Sequence, residues 1–205
     1  MTKKQISRGI LAKTLDWAYS KALTGFSGVD SAYELGNSYL NQKGTIEQQV
    51  NSLIKWQTAK AGTSGFVTGL GGAITMPLTV PANIASVIYI QIRMITAIAY
   101  MGGHDIHSDR VKSLVYICMV GNGAKELLKD LSIRTGERLV AKIIEKVSIK
   151  LAGKVGEKSV TSASKAIPVV GGIVSGSYDI VTTRIVGKVD HRKNLRGKSY
   201  NFIFA

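Results

Sequence analysis

The chain has 205 residues, enough for one domain with a sizeable core and no need of disulfide staples. Its 27 Lys and Arg against 13 Asp and Glu give a formal net charge of +14, while 45% of the residues are hydrophobic and the mean hydropathy is +0.12. A basic, slightly apolar chain points to an anionic partner surface, and 7% aromatics with no basic patch interleaved by rings argues against a reader of single-stranded nucleic acid.

The opening text MTKKQISRGILAKTLDWAYSK lacks an uninterrupted apolar core and a small-residue cleavage site, so no signal peptide is expected. From Ser7 to Leu23 the residues Ile10, Leu11, Leu15, Ala18 and Ala22 recur at helical spacing with Lys and Asp between them, which predicts an amphipathic helix ended by Gly25 to Gly28. Ser31 to Leu40 is a short helix and Asn41 to Gly44 a turn. Thr45-Ile46-Glu47-Gln48 has the form of a capping box, opening a helix that carries Leu53, Ile54 and Trp56 and runs to about Lys60.

The stretch Gly62 to Gly103 contains one formal charge, Arg93, and the run Ala61 to Ile92 contains none. Its length suggests a membrane span, but Pro77 and Pro81 interrupt it, and glycines at 62, 65, 69, 71 and 72 weaken its first half as an isolated helix. Arg93 within the second half, Ile84 to Met101, adds a further penalty of about 2.5–3.5 kcal/mol at a bilayer centre. The stretch is therefore expected to be a buried helical hairpin of a globular domain, with a re-entrant hairpin as the alternative. In a buried hairpin the Arg93 charge is expected to reach solvent or find a carboxylate, with Asp105, Asp109, Glu126 and Asp130 as the available partners.

The polar turn HDIHSD follows, and its His104, Asp105, His107 and Asp109 raise the question of a metal. Without a regular ligand spacing they read as a helix start capped by Asp105 or Asp109, and no metal site is assigned. A helix from about Asp109 to Val120 turns Val111, Leu114, Val115 and Cys118 inward. Cys118, the single cysteine, permits no internal disulfide, suits a reducing compartment and reads as a small buried hydrophobe. Gly121 to Gly123 breaks this helix, another carries Leu127, Leu128 and Leu131, and a third runs from about Thr135 to Leu151. Gly153 to Ser164 is loop-like, Ile167 to Val189 is a second glycine-rich helical segment, and the tail from His191 is basic and then apolar.

With no sustained period-2 alternation the expected class is all-α, a single helical domain built around the hairpin Gly62 to Gly103 packed on the segment Ile167 to Val189. The division is 1–44 for an N-terminal helical region, 45–190 for the main domain and 191–205 for the tail. Gly65 and Gly69, like Gly172 and Gly176, stand four apart and let a second backbone approach, either within the domain or at a self-association face in a membrane. No P-loop ending follows the first set.

Arg134, Arg138, Lys142, Lys146, Lys150, Lys154 and Lys158 recur every fourth residue, forming a slanting basic stripe beside the apolar face. The plain reading is a solvated face; the functional one is contact with anionic lipid through Arg134, Arg138, Lys142, Lys146 and Lys150, with nucleic acid the weaker alternative. No nucleophile elbow, catalytic triad or carboxylate pair stands out, so an enzyme is the less expected class and no cofactor is assigned.

Gly65, Gly69 and Gly72, then Pro77 and Pro81, then Gln91-Ile92-Arg93, Ile98-Ala99-Tyr100 and the Gly103 to Asp105 turn, followed by Lys165-Ala166-Ile167-Pro168-Val169-Val170-Gly171-Gly172 and Gly176, resemble the EcsC family of bacterial proteins over roughly residues 50 to 190. His104 separates Gly103 from Asp105, a departure from that pattern. The resemblance implies an all-helical, membrane-associated protein without an established activity, and it carries over no catalytic residue. The expected function is a binding or accessory role at the cytoplasmic face of a bacterial membrane, peripheral to it, with integral insertion as the alternative. Its partners are anionic lipid and, through the glycine faces, a membrane protein or a second copy. A carrier of apolar ligand or lipid, or a lipid-modifying enzyme, is the alternative from another class, followed by a nucleic-acid binder.

Overall fold

The computed structural model describes residues 8–26, 28–61, 82–119, 127 and 140–149. They are 80% helical, in six helices with no strand, so the protein is all-α. The helices are α1 (Arg8–Thr24), α2 (Ala32–Leu40), α3 (Ile46–Ala61), α4 (Ala82–Met101), α5 (Asp109–Cys118) and α6 (140–149). The first arm of the expected hairpin, with Gly65 and Gly69, and the segment Ile167 to Val189, with Gly172 and Gly176, lie outside the described residues.

Capping accounts for most of the boundaries. Gly25, at φ 67°, ends α1 by donating its amide to the Lys21 carbonyl, and its left-handed backbone is one that only glycine adopts cheaply. Ser31 and Glu34 form a reciprocal capping box at the start of α2. The expected box at Thr45 is present too: the Thr45 amide donates to Gln48 Oε1 at 2.9 Å, and the Gln48 amide donates to Thr45 Oγ1 at 3.3 Å. At the end of α4, Gly103 at φ 79° donates to Tyr100 while His104 donates to Ala99, the paired bonds of a Schellman stop.

The central element is α4, which packs against α1, α2, α3 and α5. From Ala85 to Ala99 every residue but Val87 is buried. Its sequence is apolar all round because it has neighbours all round, whereas α1 buries one stripe of Leu11, Leu15, Ala18, Tyr19 and Ala22. At 20 residues α4 is about 30 Å long, comparable to a bilayer core, yet its neighbours here are protein. Among the described residues no helix is long and apolar enough to cross a membrane.

α2 comes close to α4 at Gly36. A Cβ on Gly36 would stand 2.7 Å from the Tyr100 ring and 3.3 Å from the Ala97 carbonyl oxygen. Glycine in mid-helix lets α2 sit there, and the same face of α2 holds Tyr100 further through the Tyr33 ring at 4.7 Å and through Asn37, which accepts from the Tyr100 hydroxyl at 2.9 Å.

Candidate functional site

Arg93, near the middle of α4, is 5% exposed. Its Nη1 donates to the Asp30 backbone oxygen and its Nη2 to Gln57 Oε1, both at 3.1 Å, and the guanidinium carbon lies 5.7 Å from the centre of the Tyr89 ring. The expectation that Arg93 finds solvent or a carboxylate is corrected here: among the described residues its hydrogen-bond acceptors are neutral, and Asp105 and Asp109 are not among them. Glu126 and Asp130 lie outside those residues. Planar, weakly hydrated guanidinium tolerates such a site better than an ammonium would, because its fork can reach two separate acceptors and rest on a ring. The contact with Asp30 is made through its backbone oxygen. Burial raises the Tyr89 and Tyr39 phenols above their ordinary range, and in both the Arg93 charge opposes the shift.

That contact explains an inversion in α3. The sequence pattern places Trp56 with the apolar residues Leu53 and Ile54; in the structure Leu53 is buried, Ile54 half-buried, and Trp56 57% exposed. The position facing α4 is instead taken by Gln57, at 2% exposure, in line with Val50 and Leu53. A buried cation needs an oxygen beside it, so the helix presents the amide inward and the indole outward. The spacing Val50, Leu53, Gln57, in which a polar residue fills the next core position, is the signal that could have found it. Gln49 fixes the other end of α3, donating through Nε2 to the carbonyls of Leu40 and Gln42 at 3.2 and 2.7 Å.

A second polar cluster joins α1 to α5. The Tyr19 hydroxyl donates to the Ile106 carbonyl at 2.7 Å, and the Tyr116 hydroxyl donates to Asp16 Oδ1 at 3.1 Å. Lys112 meets Asp16 at 2.9 Å, with its ammonium 5.7 and 5.9 Å from the centres of the Tyr19 and Tyr116 rings. Burial, followed by neighbouring carboxylates, pushes both phenols up. Cys118 is buried, as expected, and burial raises its thiol to about 12, which leaves it a poor nucleophile.

Of the basic ladder, Lys142 and Lys146 lie on α6, both half-buried. They border the buried face of Val140, Ile143, Ile144 and Val147, while Ala141, Glu145 and Ile149 point outward. Arg134, Arg138 and Lys150 lie outside the described residues. In the turn before α5, Ser108 rather than Asp105 or Asp109 is the helix cap, accepting from the Val111 amide at 3.3 Å, and Asp105 accepts from the His107 amide at 2.9 Å one turn earlier. Asp109 lies in the first turn of α5. Among the described residues no group of three or more His, Cys, Asp or Glu is placed to hold a metal ion.

No family model, no curated protein and no solved structure matches the chain.

Proposed function

We propose that the protein is a helical binding or accessory component of the EcsC type, peripheral to the cytoplasmic face of a bacterial membrane, which contacts anionic lipid through its basic surface. The observation that carries this reading is the separation of charge: α4 holds one cation, Arg93, inside the bundle, and every other Lys or Arg whose side chain is described is half-buried or exposed. Residues 150–205 add ten Lys and Arg against three Asp and Glu. Lys142 and Lys146, at the border of an apolar face, have the placement from which long stems cover apolar surface while the heads reach phosphates. The EcsC resemblance rests on the glycine, proline and Gln-x-Arg spacing alone.

Cosedimentation with vesicles of phosphatidylcholine, and of phosphatidylcholine with phosphatidylglycerol, tests this. Binding is expected only to the anionic vesicles, weakening as salt shortens the range of the attraction, and Lys142→Gln with Lys146→Gln reduces it. Equal binding to both, or to neither, overturns the electrostatic reading. A nucleic-acid binder would instead shift oligonucleotides at low salt, with a steep loss as salt rises and no need of lipid.

A further inference from the structure

Among the described residues the exposed large hydrophobic side chains are Tyr33, Trp56 and Ile149. Tyr33 has the Tyr100 ring against it. Trp56 is the most exposed of the three, although tryptophan is among the most buried residue types on average. Its outward direction is fixed rather than incidental. Gln57 is held by Arg93, Gln49 is held by the end of α2, and Val50 and Leu53 are buried between them, so α3 cannot rotate to bring the indole in.

The exposed positions of α3 near Trp56 are Asn51, Lys55 and Ala59: Ala59 lies one turn on along the same face, Lys55 is the preceding residue about 100° round the helix, and half-buried Ser52 lies one turn before the indole. The acid on this helix is Glu47, nine residues earlier and therefore about 13.5 Å along the axis and half a revolution away. Lys60 and then the uncharged run Ala61 to Ile92 follow in the sequence. An indole beside lysine, at the point where charged text gives way to uncharged text, is the composition that settles at the headgroup level of a bilayer, where the ring is half apolar and its N–H stays wet.

We propose that Trp56, with Lys55 beside it, is the point at which the protein enters an anionic lipid surface. The proposal rests on the peripheral membrane reading above and adds a location to it. Lipid rather than a protein partner is favoured by charge complementarity: the chain carries a net +14, and the exposed face of α3 around the indole holds a cation and no acid. A protein partner is an outcome of the test.

The chain has two tryptophans, Trp17 and Trp56, and Trp17 is half-buried with its ring 6.1 Å from that of Tyr89. Trp17→Phe therefore makes the emission a report on Trp56 alone. On adding phosphatidylcholine–phosphatidylglycerol vesicles, the emission should move to shorter wavelength and be quenched by lipids brominated high on the acyl chain. Trp56→Phe, which leaves Trp17, should show neither change, and Trp56→Ala should lose vesicle binding while keeping the far-ultraviolet circular dichroism of the parent. Should Trp17→Phe fail to fold, the difference between parent and Trp56→Phe spectra gives the same readout. Sedimentation with anionic vesicles without any change at Trp56 overturns this proposal and leaves the membrane reading standing. Failure to sediment overturns both. A shift that grows with protein concentration in the absence of lipid assigns the indole to a protein contact and overturns the lipid assignment.

Discussion

On the α2 and α3 side of α4, the Arg93 guanidinium is buried and bonded to two neutral oxygens, one from a backbone and one from an amide. Between α1 and α5, the Lys112 ammonium stays 28% exposed and meets the carboxylate of Asp16, itself 49% exposed, at 2.9 Å. The closer charge pairing is found where water already solvates both groups, and the lone cation where water is excluded. Opposite charge is thus not what stabilises each site. Arg93 is held by hydrogen bonds that no solvent can replace, so each of them matters; Lys112 loses little if its partner goes, because water takes the partner's place.

The largest expected effect follows from Gln57. Gln57→Leu keeps helix propensity and volume nearly unchanged but leaves Arg93 Nη2 buried without its acceptor, and should cost about 2–3 kcal/mol in urea unfolding. Arg93→Met, which removes the charge and keeps the length, should cost less. The double variant should recover part of the loss, because the buried charge goes with its acceptor, while the Asp30 carbonyl and the Tyr39 hydroxyl still lose their partners. A Gln57→Leu protein as stable as the parent would break the contrast, since it would mean water reaches the guanidinium.

Gly36→Ala probes the same side by packing. Alanine gains about 0.8–1 kcal/mol of helix propensity over glycine. Against that, its methyl would press on a Tyr100 ring braced by Tyr33 and Asn37, and overpacking costs about 1–3 kcal/mol. A net loss of about 1 kcal/mol is expected; a net gain would show that Tyr100 can move and that the α2 contact is looser than the geometry indicates.

Helix existence was legible in the sequence because each signal was local. The capping box at Thr45, the glycine stop of α1 and the apolar period of α5 all depend on residues within a turn or two of one another, and all are present. The rotation of α3 was not, because it is set by Arg93, 36 positions away from Gln57 in the chain. Hydrophobicity alone would bury the indole and expose the amide. The acceptors of Arg93 were missed for a related reason: an arginine in apolar text suggests a carboxylate, and a backbone carbonyl such as that of Asp30 has no signature in sequence. Gly36, too, looks like a helix-weakening residue until the Tyr100 ring is placed against it. The cap of α5 by Ser108 was missed because three acceptor-bearing residues, Asp105, Ser108 and Asp109, compete within five positions.

The smallest effect should come from the exposed pair. In Asp16→Asn the amide oxygen can still accept from the Tyr116 hydroxyl, so the buried donor keeps a partner and only the charge facing Lys112 is lost. With both groups open to water, the expected cost is about 0–1 kcal/mol, shrinking further in high salt. The Tyr116 hydroxyl distinguishes this from a general loosening. Asp16→Leu removes its side-chain acceptor and leaves only the Leu15 carbonyl at 3.3 Å, which should cost more than Asp16→Asn by about 0.5–1.5 kcal/mol. Equal losses in the two variants would place the stabilisation in the ion pair after all, and the two sides of α4 would then differ in burial but not in the kind of interaction that holds them.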